Sequence, residues 1–315
     1  MFTSAARDSS RRVLTPAHHV RDAVSHKLRI SLGALLVACS VVAASVVAAD
    51  DFWLIPNAFH VAVGDEVVLR GQTSSQFPTS RAAVAVARVA TARRISASED
   101  VAIPGLSVQG RSLLVRTRPP RSGQYVIALS LQPRSVRESA EGFRRYLTAE
   151  GATAALQRVE REGLLDSMDS VTRRYAKYAK TIVQVGTGGG SAFDRLAGHV
   201  IEFVPSRDPS SLRTGDTLEL RLLFRGVPLS GIPVHADVVD LHVDRDATSG
   251  GAHADHSGAA TSITYVPDSD GIVRVPVSRH GMWSIRTIHV TQAPAGSGAD
   301  WDTHWGTFVF ALDDR

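Results

Sequence analysis

Phe59-His60-Val61-Ala62-Val63-Gly64-Asp65-Glu66-Val67-Val68-Leu69-Arg70 holds two short β-rich runs joined by a Gly-Asp turn. Branched and aromatic side chains suit a half-buried pleated surface, and the Gly-Asp pair reverses the chain at little steric cost. The same pattern continues outward. Ala83–Val89, Ser112–Thr117 and Gln124–Leu131 are further β-rich runs, bounded by Pro119-Pro120 and Gly123. Short strands at this spacing predict a sandwich over residues 50–134.

Residues 135–190 change character. Ser135-Val136-Arg137-Glu138 has capping-box spacing, and Phe143, Leu147, Leu156, Val159 and Leu164 recur at helical intervals among charges. Tyr175, Tyr178 and Ile182 extend that periodicity, so the sequence predicts two or three helices ending at the turn Gly186-Thr187-Gly188-Gly189-Gly190. The tyrosines read as packed helix-face residues.

Residues 191–315 return to β. Asp216–Phe224 alternates; Gly226–Val234 is a turn feeding a strand; Asp268-Ser269-Asp270-Gly271 precedes Ile272–Val277 and then Gly281-Met282-Trp283-Ser284-Ile285-Arg286. This order resembles transthyretin-like or Ig-like domains. The predicted fold is mainly β: two β-sandwich domains with an α-helical insertion between them.

Ahead of these domains, Arg21, Lys27 and Arg29 precede the apolar run Ile30–Ala49. A basic entry followed by an apolar core marks an export leader, here residues 1–49. Val47-Ala48-Ala49 supplies the small residues for cleavage before Asp50. Leu36-Val37-Ala38-Cys39 also matches a lipobox, and about twenty apolar residues suffice to span a bilayer uncleaved. The setting expected is periplasm or cell envelope, with membrane contact only through the leader or a lipid on Cys39.

The leader also distorts the charge balance. The chain has 35 Lys+Arg against 31 Asp+Glu, whereas residues 50–315 hold 29 of each. A neutral exported chain does not imply a nucleic-acid partner. Residues 70–145 hold 13 Arg and 4 acids, and residues 226–315 hold 5 Arg and 11 acids, so these segments are expected to face each other. The one cysteine, Cys39, lies in the leader, which leaves the exported part without a disulfide or thiolate ligand.

Chemistry concentrates between His235 and His256. Asp240, His242, Asp244 and Asp246 would share one face of a strand, and Gly250-Gly251 could fold His253, Asp255 and His256 back toward it. Imidazole with carboxylate and no thiol suits Zn, Ni, Cu(II) or Co. The competing reading is a solvated acidic loop. His289 and His304, the latter between Trp301 and Trp305, are further ligand candidates, each with packed-histidine alternatives. The glycine run lacks the Lys-Ser/Thr of a phosphate loop, and no G-x-S-x-G elbow anchors a hydrolase. No enzymatic activity is expected.

Asp51-Phe52-Trp53-Leu54, Tyr175-Ala176-Lys177, Val183-Gln184-Val185-Gly186, Gly215-Asp216-Thr217-Leu218, Asp270-Gly271, Gly281-Met282-Trp283, His289 and Ala299-Asp300-Trp301 with Trp305 together resemble the domain-of-unknown-function 4198 family, exported bacterial proteins often labelled nickel-uptake-associated. The resemblance spans the exported chain in order. It implies two β-rich domains, an envelope setting and a loose link to metal handling. That family commonly carries a histidine just before the Asp/Glu-Phe-Trp-Leu motif; here the position is Asp50. The function expected is a non-catalytic binding protein that handles a divalent transition metal, nickel or cobalt, for an uptake transporter of the inner membrane. The alternative is a structural or adhesion-type envelope module that binds a protein or polysaccharide.

Overall fold

Alternating apolar and polar side chains do place strands through most of the chain. The computed structural model describes residues 50–240 and 261–313. In the N-terminal part the strands are β1 (Asp51–Pro56), β2 (His60–Val61), β3 (Val67–Ser74), β4 (Val89–Ile95), β5 (Asp100–Ala102), β6 (Gly105–Gln109), β7 (Ser112–Thr117), β8 (Gly123–Leu131) and β9 (Arg134–Ser139). Helices α1 (Ala140–Ala149) and α2 (Thr153–Arg161) follow, then the long strand β10 (Ser170–Val185). The C-terminal strands are β11 (Ile201–Pro205), β12 (Thr217–Phe224), β13 (Val227–Pro228), β14 (Val234–Val239), β15 (Thr261–Tyr265), β16 (Ile272–Pro276), β17 (Gly281–Gln292) and β18 (Trp301–Leu312).

A ten-stranded sheet forms the central layer, ordered β15-β14-β17-β18-β10-β8-β4-β5, with β2 and β9 also on β10. One of its faces is covered by the sheet β1-β3-β7-β6, enclosing Phe52, Leu54, Leu69, Val115, Ile127 and Val183. Farther along, α1 and α2 pack Phe143, Leu147 and Val159 against Trp301, Trp305 and Ile288. The opposite face is covered by β11, β12, β13 and β16, enclosing Phe203, Leu220, Val273, Trp283, Phe308 and Phe310. Two sandwiches are present, but they share one wall. Strand β10 makes that join: it runs antiparallel to β8 and parallel to β18.

The helical expectation for Tyr175, Tyr178 and Ile182 is corrected here, since all three lie on β10. A strand buried on both faces has apolar residues at odd and even positions, so its spacing imitates a helix. The β-branched Thr181, Ile182, Val183 and Val185 were the better guide. Ser135 begins no helix: residues 134–139 are β9, and Ser139 caps α1 by accepting the Gly142 N–H at 3.0 Å. Ala83–Val89 contains only a short 3-10 turn before β4.

The glycine run is packed rather than a loose joint. Gly123 bridges to Gly190, and the Gln124 N–H donates to the Gly190 carbonyl at 2.9 Å. Among the described residues the oppositely charged segments do not pair as expected: arginines in 70–145 pair with Asp50, Glu66, Glu99, Asp100, Glu141 and Asp166.

Candidate functional site

His289 and His304 are direct cross-strand partners on antiparallel β17 and β18. Side chains opposite each other on adjacent strands share a face with Cβ atoms about 5 Å apart. The face is fixed by the alternation of β18. Trp301 and Trp305 turn toward the helices, so His304 turns with Phe308 and Phe310 into the C-terminal sandwich. The imidazole pair thus sits at one end of that sandwich's core.

Burial sets the chemistry of the pair. His304 is 8% exposed, and neither of its ring nitrogens has a hydrogen-bond partner. Its pKa is pushed down from 6.5 to about 4, chiefly by desolvation; Asp302 pulls it up, while His289, Arg225 and Arg174 push it down. His289 is lowered to about 4, first by burial and then by Arg225. Both rings are therefore neutral at physiological pH, the form that offers a lone pair to a metal. A buried polar atom with no partner costs about 1–3 kcal/mol, so the bare nitrogens of His304 call for an explanation.

Phe224, the last residue of β12, packs against both imidazoles. Its ring lies 4.6 Å from the His289 ring and 5.2 Å from the His304 ring. The next residue, Arg225, has φ of +54°, followed by Gly226 at +79°, giving the type I′ geometry that joins β12 to β13. That turn carries the Arg225 guanidinium to 5.1 Å from the Phe224 ring centroid. Tyr178 lies between His304 and His199, with ring centroids 6.3 and 5.4 Å away. Burial raises the Tyr178 hydroxyl to about 12 and lowers His199 to about 4. The segment carrying His199 is held by Glu202, which accepts the N–H groups of Ala197, Gly198 and His199 while paired to Lys180 at 2.8 Å. Asp302, the nearest carboxylate along β18, is engaged by Arg174 through two bonds of 2.7 and 2.8 Å.

The other expected ligands lie elsewhere. His242, Asp244, Asp246, His253, Asp255 and His256 are outside the described residues. Asp240 is ion-paired to Arg279 at 2.7 Å, just beyond Val239, which pairs with Met282. His289 lies seven positions beyond Met282 on β17, roughly 23 Å along a strand, so Asp240 does not join the imidazole pair. His235 bonds Thr264 at 3.0 Å. Asp50 lies across the sheet from the pair: Lys177 donates to its carbonyl and projects with Trp305, on the face opposite His304. Among the described residues, no three His, Cys, Asp or Glu side chains are placed to hold one metal ion.

Sequence reasoning missed Phe224, Arg225 and the site role of Tyr178. The Arg-Gly pair between two strands was a hairpin signal, but nothing local announced that it would meet β17 and β18. A cleft of about 500 Å³ lined by Val89, Thr91, Ala92, Ile103 and Leu106 offers less chemistry, because its charges, Arg93 and Asp100, satisfy each other.

The family model described as domain of unknown function (DUF4198) matches residues 47–291. The chain belongs to this family. Its matched region includes β1, β10, Arg225 and His289, and ends before His304 on β18. No curated protein shows detectable sequence similarity to the chain.

Solved structures give only loose likenesses. The ectodomain of mouse nectin-like molecule 4 is 10% identical, with 85% of this chain and 65% of that one covered at a TM-score of 0.19. The D0-D1 domain of intimin is 9% identical, with 83% and 98% covered at 0.19. Salmonella alpha-2-macroglobulin is 12% identical, with 84% and 16% covered at 0.22. Superpositions this loose say nothing about how the chain folds or what it binds. Among the described residues, no helix is long and apolar enough to cross a membrane.

Proposed function

We propose that this family member is an exported, non-catalytic binding protein whose cargo is a divalent transition metal, taken up by the imidazoles of His289 and His304. The observation that carries the reading is the state of His304: buried, neutral and without a partner on either ring nitrogen, directly opposite a second neutral imidazole. Among the described residues, nothing engages the His304 ring nitrogens. Neutral imidazole with no thiolate favours Ni, Co, Cu(II) or Zn over soft ions. Nickel or cobalt delivered to an inner-membrane uptake transporter is the role that fits an envelope protein of this kind.

Isothermal titration of the chain beginning at Asp50, untagged and stripped with chelator, tests this. One saturable site of micromolar or tighter affinity, weakened at least tenfold in His289→Ala/His304→Ala, is expected. Weak, unsaturable binding unaffected by the substitutions would contradict it and favour a structural or adhesion-type envelope module.

A further inference from the structure

We propose that the open edge of β4 docks an acidic, extended segment of a partner protein, which adds to the central sheet as a short strand. This cleft lies in the N-terminal sandwich, apart from the imidazole pair, and the proposal does not depend on the metal reading.

The opening comes from the way β5 ends. It pairs with β4 at Arg93↔Ala102, Arg94↔Val101 and Ile95↔Asp100, and the Ile103 N–H then donates to the Ala92 carbonyl at 2.8 Å. Pro104 carries no N–H to extend that ladder, and the chain leaves for β6, which pairs with β7 in the other sheet. Strand β4 runs on to Val89, held by β8 along its far side. The cleft of about 500 Å³ lies along this overhang. A strand edge left open in this way is a template for backbone pairing.

The walls suit an added strand. Residues 89–93 line the cleft in unbroken sequence, so it is the edge of β4, and not one of its faces, that the cleft presents. Ile103 and Leu106 form an apolar floor that continues into the N-terminal core. Ala90, Thr91 and Ala102 are small enough to let another backbone approach. Exposed Val86, Val101 and Val108 stand on the 3-10 turn, β5 and β6 around the rim. Because side chains alternate, every second residue of the incoming strand would face the floor and the others would face solvent.

Charge selects the occupant. Residues 81–121, which build β4 to β7 and their connections, hold eight arginines against two acids, Glu99 and Asp100. Those two acids are already paired, to Arg121 and Arg93. A second copy meeting this edge through its own would bring two basic surfaces together, which disfavours a dimer here. An acidic segment is attracted and steered by the same field.

Fluorescence anisotropy with the exported chain tests this, using the labelled peptide Glu-Val-Asp-Val-Thr-Val-Asp-Val-Glu. One control peptide replaces each acid by lysine; the other replaces the central threonine and its two valine neighbours by proline. The acidic peptide should bind at least tenfold more tightly than either control, and more weakly as salt rises. Ala102→Trp fills the cleft from an exposed position on β5 and should weaken the peptide at least tenfold. Bound peptide should slow hydrogen exchange at residues 89–92, and His289→Ala/His304→Ala should bind it like wild type. Equal binding of the lysine peptide would overturn the charge argument, and equal binding of the proline peptide would overturn strand addition. No binding of the acidic peptide, unchanged affinity in Ala102→Trp, or unchanged exchange at residues 89–92 would overturn the proposal outright. So would polygalacturonate binding that Ala102→Trp abolishes while the peptide fails to bind, which would assign the cleft to an acidic polysaccharide. Each of these results leaves the metal reading untouched.

Discussion

Asp51, the first residue of β1, pairs with Arg286 of β17 at 3.3 Å, and Arg286 also holds Asp237 of β14 at 3.0 Å. Strand β1 is thereby tied to β17 and β14 of the central sheet. It also gives the Asp-Phe-Trp-Leu motif a structural meaning: Phe52, Trp53 and Leu54 are fully buried beside the anchored carboxylate.

Removing the shared cation should be severe. Arg286→Met leaves two buried carboxylates facing each other, a change worth about 3–5 kcal/mol. Asp51 is already raised to about 6, mainly by burial, with Arg286 the largest opposing influence. A carboxylate with a raised folded pKa loses stability as pH climbs from its unfolded value through its folded one. Urea unfolding should therefore show a larger deficit for Arg286→Met at pH 7.5 than at pH 5. An equal deficit at both would rule out this account of Asp51.

The imidazole pair gives the opposite slope. With its folded pKa lowered to about 4, His304 binds fewer protons folded than unfolded, so its contribution is intact above pH 6.5 and drains away toward pH 4. Complete titration corresponds to about 3 kcal/mol, the upper bound for one group. His304→Phe keeps a ring in the slot beside Phe224 and cannot titrate. Its stability should fall less than that of wild type between pH 6.5 and 4, with Asp302, Arg174, Arg225 and His289 still in place. Parallel curves would mean His304 is not held neutral.

Neighbouring glycines distinguish backbone strain from crowding. Gly188 and Gly189 both have positive φ, +73° and +91°. A Cβ on Gly188 meets nothing within 4 Å, whereas one on Gly189 would overlap the Ser122 carbonyl oxygen. Gly188→Ala should cost about 1 kcal/mol from backbone conformation alone. Gly189→Ala should cost at least twice that, measured by denaturant midpoint. Equal costs would show that the run is not packed against residues 122–124.

The contrast between β18 and β10 shows what sequence can reveal. Residues 301–312 alternate two faces, tryptophans on one and phenylalanines on the other, but with large aromatics on both, only packing partners could say which face met helices and which met strands. Strand β10 has neighbours on every side, and its lost alternation made Tyr178 look helical. His289 and His304 were both visible as ligand candidates by residue type. Their pairing was not, because cross-strand register depends on where β17 and β18 turn, at residues 294–298, which residue spacing alone does not set. Arg225 entered the site through tertiary contact between distant strands, the kind of juxtaposition a single sequence carries no local trace of.

The measurement that bears most directly on the central claim is calorimetric titration of nickel, cobalt, copper(II) and zinc into wild type and His289→Ala/His304→Ala, with folding of both checked by circular dichroism. A single site of micromolar or tighter affinity, weakened at least tenfold when both imidazoles are gone, is the expected result. Saturable binding that survives the double substitution would contradict the placement of the cargo between His289 and His304.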